Sequence, residues 1–92
     1  MIVRIMCQGQ YNVDNTLVKQ LNAIDNRIVN HITGVDKDGF RTDLAELISL
    51  VRDKGIPLDP ANIAQSDIII PPEDLTFDEA SLIFKGHGLI EN

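Results

Sequence analysis

Cys7 and His31 are the first residues in this chain whose types could do chemistry. A thiol with an imidazole base is a nucleophile–base pair. Cys7 closes the apolar run Ile2-Val3-Arg4-Ile5-Met6, and His31 lies far along the chain in a helical pattern. No spacing joins them, and a free cysteine in an apolar run is more often a small hydrophobe. A structural zinc site needs four ligands at regular spacing. The chain offers one Cys and two His, with neither CxxC nor HxxxH. Asp36-Lys37-Asp38-Gly39 opens like a calcium loop. Its fifth and twelfth positions would be Phe40 and Leu47, where oxygen ligands are needed. The four residues therefore read as helix caps and a turn. Asp25 reads as a solvated flank of a helix. Glu73 and Asp74 read as turn and helix-entry residues, and no acid pair is evident. His87, between Gly86 and Gly88, reads as a cation at a helix C-terminus. Gly9, Gly34, Gly39 and Gly55 are isolated, so no phosphate-binding loop is formed. No catalytic, cofactor-binding or metal-ligating residue is assigned.

Composition narrows the partners. Eight basic against fourteen acidic residues give a formal charge of −6. Binding along a phosphate backbone needs an excess of Lys and Arg. Nucleic acid and anionic membrane surfaces are therefore poor partners, and a basic protein surface is a better one. Ninety-two residues suit one α+β domain spanning 1–92, large enough to fold on an aliphatic core without a staple. The single Cys7, the absence of a signal-like N-terminus and the lack of a stretch near 20 apolar residues point to a cytoplasmic protein without membrane insertion.

The elements that would position these residues follow from spacing. Residues 2–7 read as a strand with neighbours on both sides, being nearly all apolar. Gln8-Gly9 turns the chain, and residues 10–13 read as the returning strand, with Tyr11 and Val13 on one face. Asp14 caps a helix whose apolar stripe is Leu17, Leu21, Ile24, Ile28 and Ile32. Gly34 ends it in a left-handed conformation. Asp36 or Asp38 caps a second helix with the stripe Phe40, Leu44, Leu47, Ile48 and Val51. Asp43 and Glu46 belong to its polar side. Two such stripes bury each other as an antiparallel αα-hairpin. Pro57-Leu58-Asp59-Pro60 reads as a turn, and residues 60–64 as one helical turn. Ile68-Ile69-Ile70 forms a short buried strand ended by Pro71-Pro72. Thr76-Phe77-Asp78-Glu79 is a capping box, opening a last helix over 77–85 with Ala80, Ile83 and Phe84 inward. Leu89-Ile90 folds back on the core. The expected order is β-β-α-α-β-α, a helical hairpin on a short three-stranded sheet. The segment 68–70 or the edge at residues 10–13 could pair across a two-fold to make a homodimer.

Taken in order, these pieces resemble a known family. Met1-Ile2-Val3-Arg4-Ile5-Met6 with Gly9-Gln10-Tyr11, then Leu21-Asn22 and Asp25, Phe40-Arg41, Leu44, Leu47, Val51-Arg52, Gly55, Pro57 and Leu58, are similar to the PspA-associated PspAA-type domains. Ser66-Asp67, Pro71-Pro72, Asp74 and Gly88-Leu89-Ile90 continue the match over essentially the whole chain. Cys7-Gln8 departs from the small or acidic residues usual at that turn. The resemblance implies a non-catalytic accessory protein of the phage-shock membrane-stress system in archaea or bacteria. It would act beside PspA, a coiled-coil protein that assembles on stressed membranes, and reach the membrane only through that partner. Ser66, Asp67, Pro71, Pro72, Glu73 and Asp74 are the residues best suited to a contact, as rigid prolines beside acids. The plainer account of them is that Ser66 and Asp67 cap the strand entry and the prolines end the strand. Two other functions stand beside this one: a winged-helix-like DNA-binding regulator, whose Lys37, Arg41, Arg52 and Lys54 are offset by five acids, and a small enzyme using Cys7 or an acid pair.

Overall fold

The computed structural model describes residues 1–61, 64–84 and 88–90. Two long helices form the expected hairpin: α1, Asn15–Thr33, and α2, Lys37–Lys54. Asp14 Oδ1 accepts from the Leu17 N–H at 2.8 Å, and Asp36 Oδ1 from the Gly39 N–H at 2.9 Å. Each carboxylate satisfies a free donor at the positive end of a helix. Leu17, Leu21, Ile24 and Ile28 of α1 meet Phe40, Leu44, Leu47, Ile48 and Val51 of α2, all buried. Burial of each such side chain is worth about 1.5–3 kcal/mol before chain entropy is subtracted.

The turn between the helices differs from expectation by one residue. α1 runs on to Thr33, so Gly34 is the C-cap at φ −87°, and the left-handed position falls on Val35 at φ 55°. Val35 N–H donates to Ile32 O at 3.2 Å and Asp36 N–H to His31 O at 2.7 Å. That is the paired closure of a Schellman motif, with a β-branched residue where glycine is usual.

The sheet has four strands rather than three: β1, Ile2–Ile5; β2, Gly9–Asn12; β3, Ile56–Pro57; and β4, Ile68–Ile70, in the order β3-β2-β1-β4. Pro57, expected at the start of a turn, lies in β3. Gly55 is extended at ψ 156°, so the chain leaves α2 directly into pairing with β2, as Asn12↔Ile56 and Tyr11↔Pro57. Pro57 is tolerated because β3 is an edge. It follows that β2 is not an edge, so residues 10–13 have no free side for pairing across a two-fold. β1 is shorter than expected, ending at Ile5. It is central, antiparallel to β2 and parallel to β4, with Val3↔Ile68 and Ile5↔Ile70.

The last helix, α3, Phe77–Phe84, packs on α1 and α2. Its capping box is formed: Thr76 N–H donates to Glu79 Oε1 at 3.3 Å and Glu79 N–H to Thr76 Oγ1 at 3.2 Å. Ala80 and Phe84 are buried, and Phe77 meets Phe40 edge to face at 5.8 Å. Ile83, expected inward, is exposed, because Ala80 and Phe84 already fill the arc facing the hairpin. Pro60-Ala61 is a turn with Asp59 Oδ1 accepting from Ala61 N–H at 2.9 Å. The rest of that expected helical turn at residues 62–63, and the helix stop at Gly86-His87, lie outside the described residues. Leu89 and Ile90 pack against the core.

An L-residue held left-handed costs about 1–2 kcal/mol, which glycine avoids at some cost in chain entropy. Val35 is largely exposed and surrenders little packing. Val35→Gly should therefore raise stability by about 0.5–1 kcal/mol in urea denaturation.

Candidate functional site

Four-residue spacing places Arg27 and His31 on one flank of α1, and three-residue spacing places Asp43 and Glu46 on the facing flank of α2. The hairpin brings them together. Arg27 Nη2 lies 3.1 Å from Asp43 Oδ1 and 2.8 Å from Glu46 Oε2. His31 Nε2 lies 2.7 Å from Asp43 Oδ2, and His31 Nδ1 3.2 Å from Asp36 Oδ2. Gly39 permits this closeness: a Cβ there would stand 2.6 Å from His31 Nδ1. Asp43, read as part of a polar face, is buried. Burial pushes its carboxyl pKa up, but hydrogen bonds from Arg27 and His31, with their charges, outweigh it and hold the group below its usual range. The hydrogen bond to Asp43 raises Arg27 in turn. Complementary charges on facing flanks were the signal in the sequence that marks this cluster. The arrangement clamps α1 to α2. Both ring nitrogens of His31 are engaged by carboxylates, and Cys7 sits exposed in the β1–β2 turn at φ 72°. The Cys7–His31 pair is therefore not assembled.

Asp25 departs furthest from its reading. It is 0% exposed rather than solvated. Its Oδ1 accepts from Leu89 N–H and its Oδ2 from Ile90 N–H, both at 2.9 Å. Gly88 lies so close that any Cβ would collide with the carboxylate. Asp25 thus anchors residues 88–90 over Val3, Leu21 and Leu47. The cavity remaining there is about 10 Å³, room for a water at most.

The segment carrying the six contact candidates crosses the sheet. Gln10, a buried residue of β2, donates through Nε2 to Ala64 O at 2.6 Å and Ser66 Oγ at 2.8 Å, and its Oε1 accepts from Ala64 N–H at 3.3 Å. Ser66 is half-buried and Asp67 is exposed, with Asp67 Oδ2 accepting from Ile2 N–H at 2.8 Å. These two residues tie β4 to β1 and β2. Pro71 is buried and Pro72 half-buried, so the pair does not present two exposed prolines. Glu73 and Asp74 are exposed where the chain leaves the sheet. An open groove of about 370 Å³ runs beside the β1–β2 turn, lined by Arg4, Gln8, Gln10, Tyr11, Leu58 and Asp59 among others. Sequence reasoning did not find Gln10 or this groove, since a polar residue in a short strand carries no pattern.

Among protein families, the model of the PspA-associated proteins matches residues 1–92, the whole chain. No curated protein matches, and no solved structure matches. Among the described residues, no helix is long and apolar enough to cross a membrane.

The Asp43 carboxyl has a lower pKa in the folded chain than in the unfolded one, so its charge favours folding at neutral pH. That contribution is fully present above the unfolded value of about 4 and fades as pH falls through the folded value. The stability advantage of wild type over Asp43→Asn should shrink as the pH falls below about 4, measured by urea unfolding in acidic buffers. Asp25→Ala leaves two N–H groups without their acceptor and should cost about 1–3 kcal/mol in thermal or urea unfolding. Gly88→Ala should cost a similar amount by forcing the strap off Asp25.

Proposed function

Because the chain belongs to the PspA-associated protein family, we propose that it is a non-catalytic accessory protein of a PspA-type membrane-stress response, binding a helical, coiled-coil partner of the PspA kind. The observation that carries this reading is the family match over the full 92 residues. Charge supports it: a chain at −6 suits a basic protein surface and repels an anionic bilayer, so membrane contact would come through the partner. Of the six contact candidates, Glu73 and Asp74 are exposed and make no hydrogen bond or ion pair with other described residues, whereas Ser66 and Asp67 hold the sheet together. Glu73 and Asp74 therefore serve as an acidic rim that steers a basic flank of the partner, while Ser66, Asp67, Pro71 and Pro72 fix the rim's position. Such rim charges act chiefly on association rate and salt dependence.

The test is a titration of the purified chain against a PspA-like coiled-coil protein from the same organism at low and high salt. Saturable binding that weakens with salt is expected, and reversing Glu73 and Asp74 to Lys should slow association severalfold with the fold unchanged. Absence of binding at both salt concentrations would contradict the reading.

A further inference from the structure

Three polar side chains are buried among the described residues: Gln10, Asp25 and Asp43. Gln10 pairs with Ala64 and Ser66, and Asp43 with the cations of the hairpin clamp. Asp25 is different. No Lys, Arg or His among the described residues pairs with it. A carboxylate gives up its hydration at high cost when it is buried without a cation. Two main-chain donors replace that water here, the Leu89 N–H at Oδ1 and the Ile90 N–H at Oδ2, both at 2.9 Å. Each of these bonds is exchanged for one to water when the strap lifts, so its net worth is a fraction of its gross strength.

The strap is otherwise lightly held. Gly88, Leu89 and Ile90 are half-buried, while Val3, Leu21, Leu47, Ile68 and Ile70 beneath them are buried. No main-chain hydrogen bond joins residues 88–90 to the described strands or helices. The seat is fixed without the strap: Val3, Ile68 and Ile70 by the β1–β4 ladder, Leu21 and Leu47 by the packing of α1 on α2. Lifting the strap therefore leaves ladder and hairpin in place. It uncovers aliphatic side chains, which favours closure, and rehydrates Asp25, which favours opening. The two effects oppose each other, so the closed and open forms lie closer in free energy than the folded and unfolded chains. Gly88 sets the fit, since a Cβ there would collide with the Asp25 carboxylate in the closed form alone.

We infer that residues 88–90 are a reversible latch on the apolar seat of Val3, Leu21, Leu47, Ile68 and Ile70, closed by two main-chain N–H groups on the Asp25 carboxylate and opening while the rest of the fold persists. Hydration of Asp25 makes the open form accessible, and the missing side chain of Gly88 lets the closed form seat. The latch concerns this chain alone. It stands or falls separately from the partner reading above.

The test is hydrogen exchange of single amides in the wild-type chain, followed by NMR at rising urea concentrations below the unfolding transition. Exchange through a local opening exposes little surface and is nearly independent of urea, whereas exchange through global unfolding accelerates with it. Leu89 and Ile90 should be protected, yet exchange at least about tenfold faster than Leu21 and Leu47, at a rate flat in urea. In Gly88→Ala the same two amides should lose protection by about tenfold or more, with Leu21 and Leu47 still protected. Exchange at Leu89 and Ile90 that matches Leu21 and Leu47 and accelerates with urea in step would overturn the latch, because the strap would then open only with the whole fold. Wild-type amides at 89 and 90 with no protection would remove the closed form and overturn it equally, as would Gly88→Ala with both amides protected as in wild type. The wild-type measurement decides alone if Gly88→Ala does not fold.

Discussion

The parallel pairing of β1 with β4 is the constraint on which the rest of the structure depends. Parallel neighbours cannot be joined by a tight turn, so the chain between them must cross over. Here the crossover contains the β2 hairpin return, both long helices and β3. It places the helical hairpin on one face of the sheet and closes the core between Val3, Ile5, Ile68 and Ile70 on one side and the stripes of α1 and α2 on the other. On the opposite face the connection from β3 to β4 crosses the sheet, with Ala64 and Ser66 bonded to the buried Gln10.

Carboxylates lock this arrangement at the points where apolar packing alone would leave freedom. Asp43 joins Arg27 and His31 and sets α2 against α1. Asp25 receives the N–H groups of Leu89 and Ile90 and holds the end of the described chain over the core. Asp67 receives the Ile2 N–H and Gln10 pairs with Ala64, so the long connection into β4 lies along the sheet. A chain with fourteen acids thus spends several of them internally. Glu73 and Asp74, beyond β4, stay exposed.

Much of this was legible in the residues. The two helices, their caps at Asp14 and Asp36, the capping box at Thr76–Glu79 and the strand 68–70 follow from periodicity and cap chemistry, which are local. What escaped was non-local. Asp25 is chemically ordinary, and its burial depends on a strap 64 positions away. β3 is two residues long and exists only because β2 lies beside it. Ile83 points outward because Phe84 and Ala80 occupy the inward arc. The left-handed residue moved from Gly34 to Val35 because α1 extends one residue further than its apolar stripe. The contact candidates divide the same way: type and exposure agree for Glu73 and Asp74, while Ser66, Asp67 and Pro71 serve the sheet.

The most direct test of the partner reading is the spectrum of the isoleucine methyl groups as a PspA-like coiled-coil protein is added. The chain is rich in isoleucine, and its positions report separately on each surface: Ile2 and Ile69 on the outer sheet, Ile83 on α3, Ile24, Ile28 and Ile48 in the core. Saturable shifts at surface methyls, with the core methyls unmoved, are the expected result. Methyl signals that all stay unmoved at high partner concentration and low salt would contradict the account.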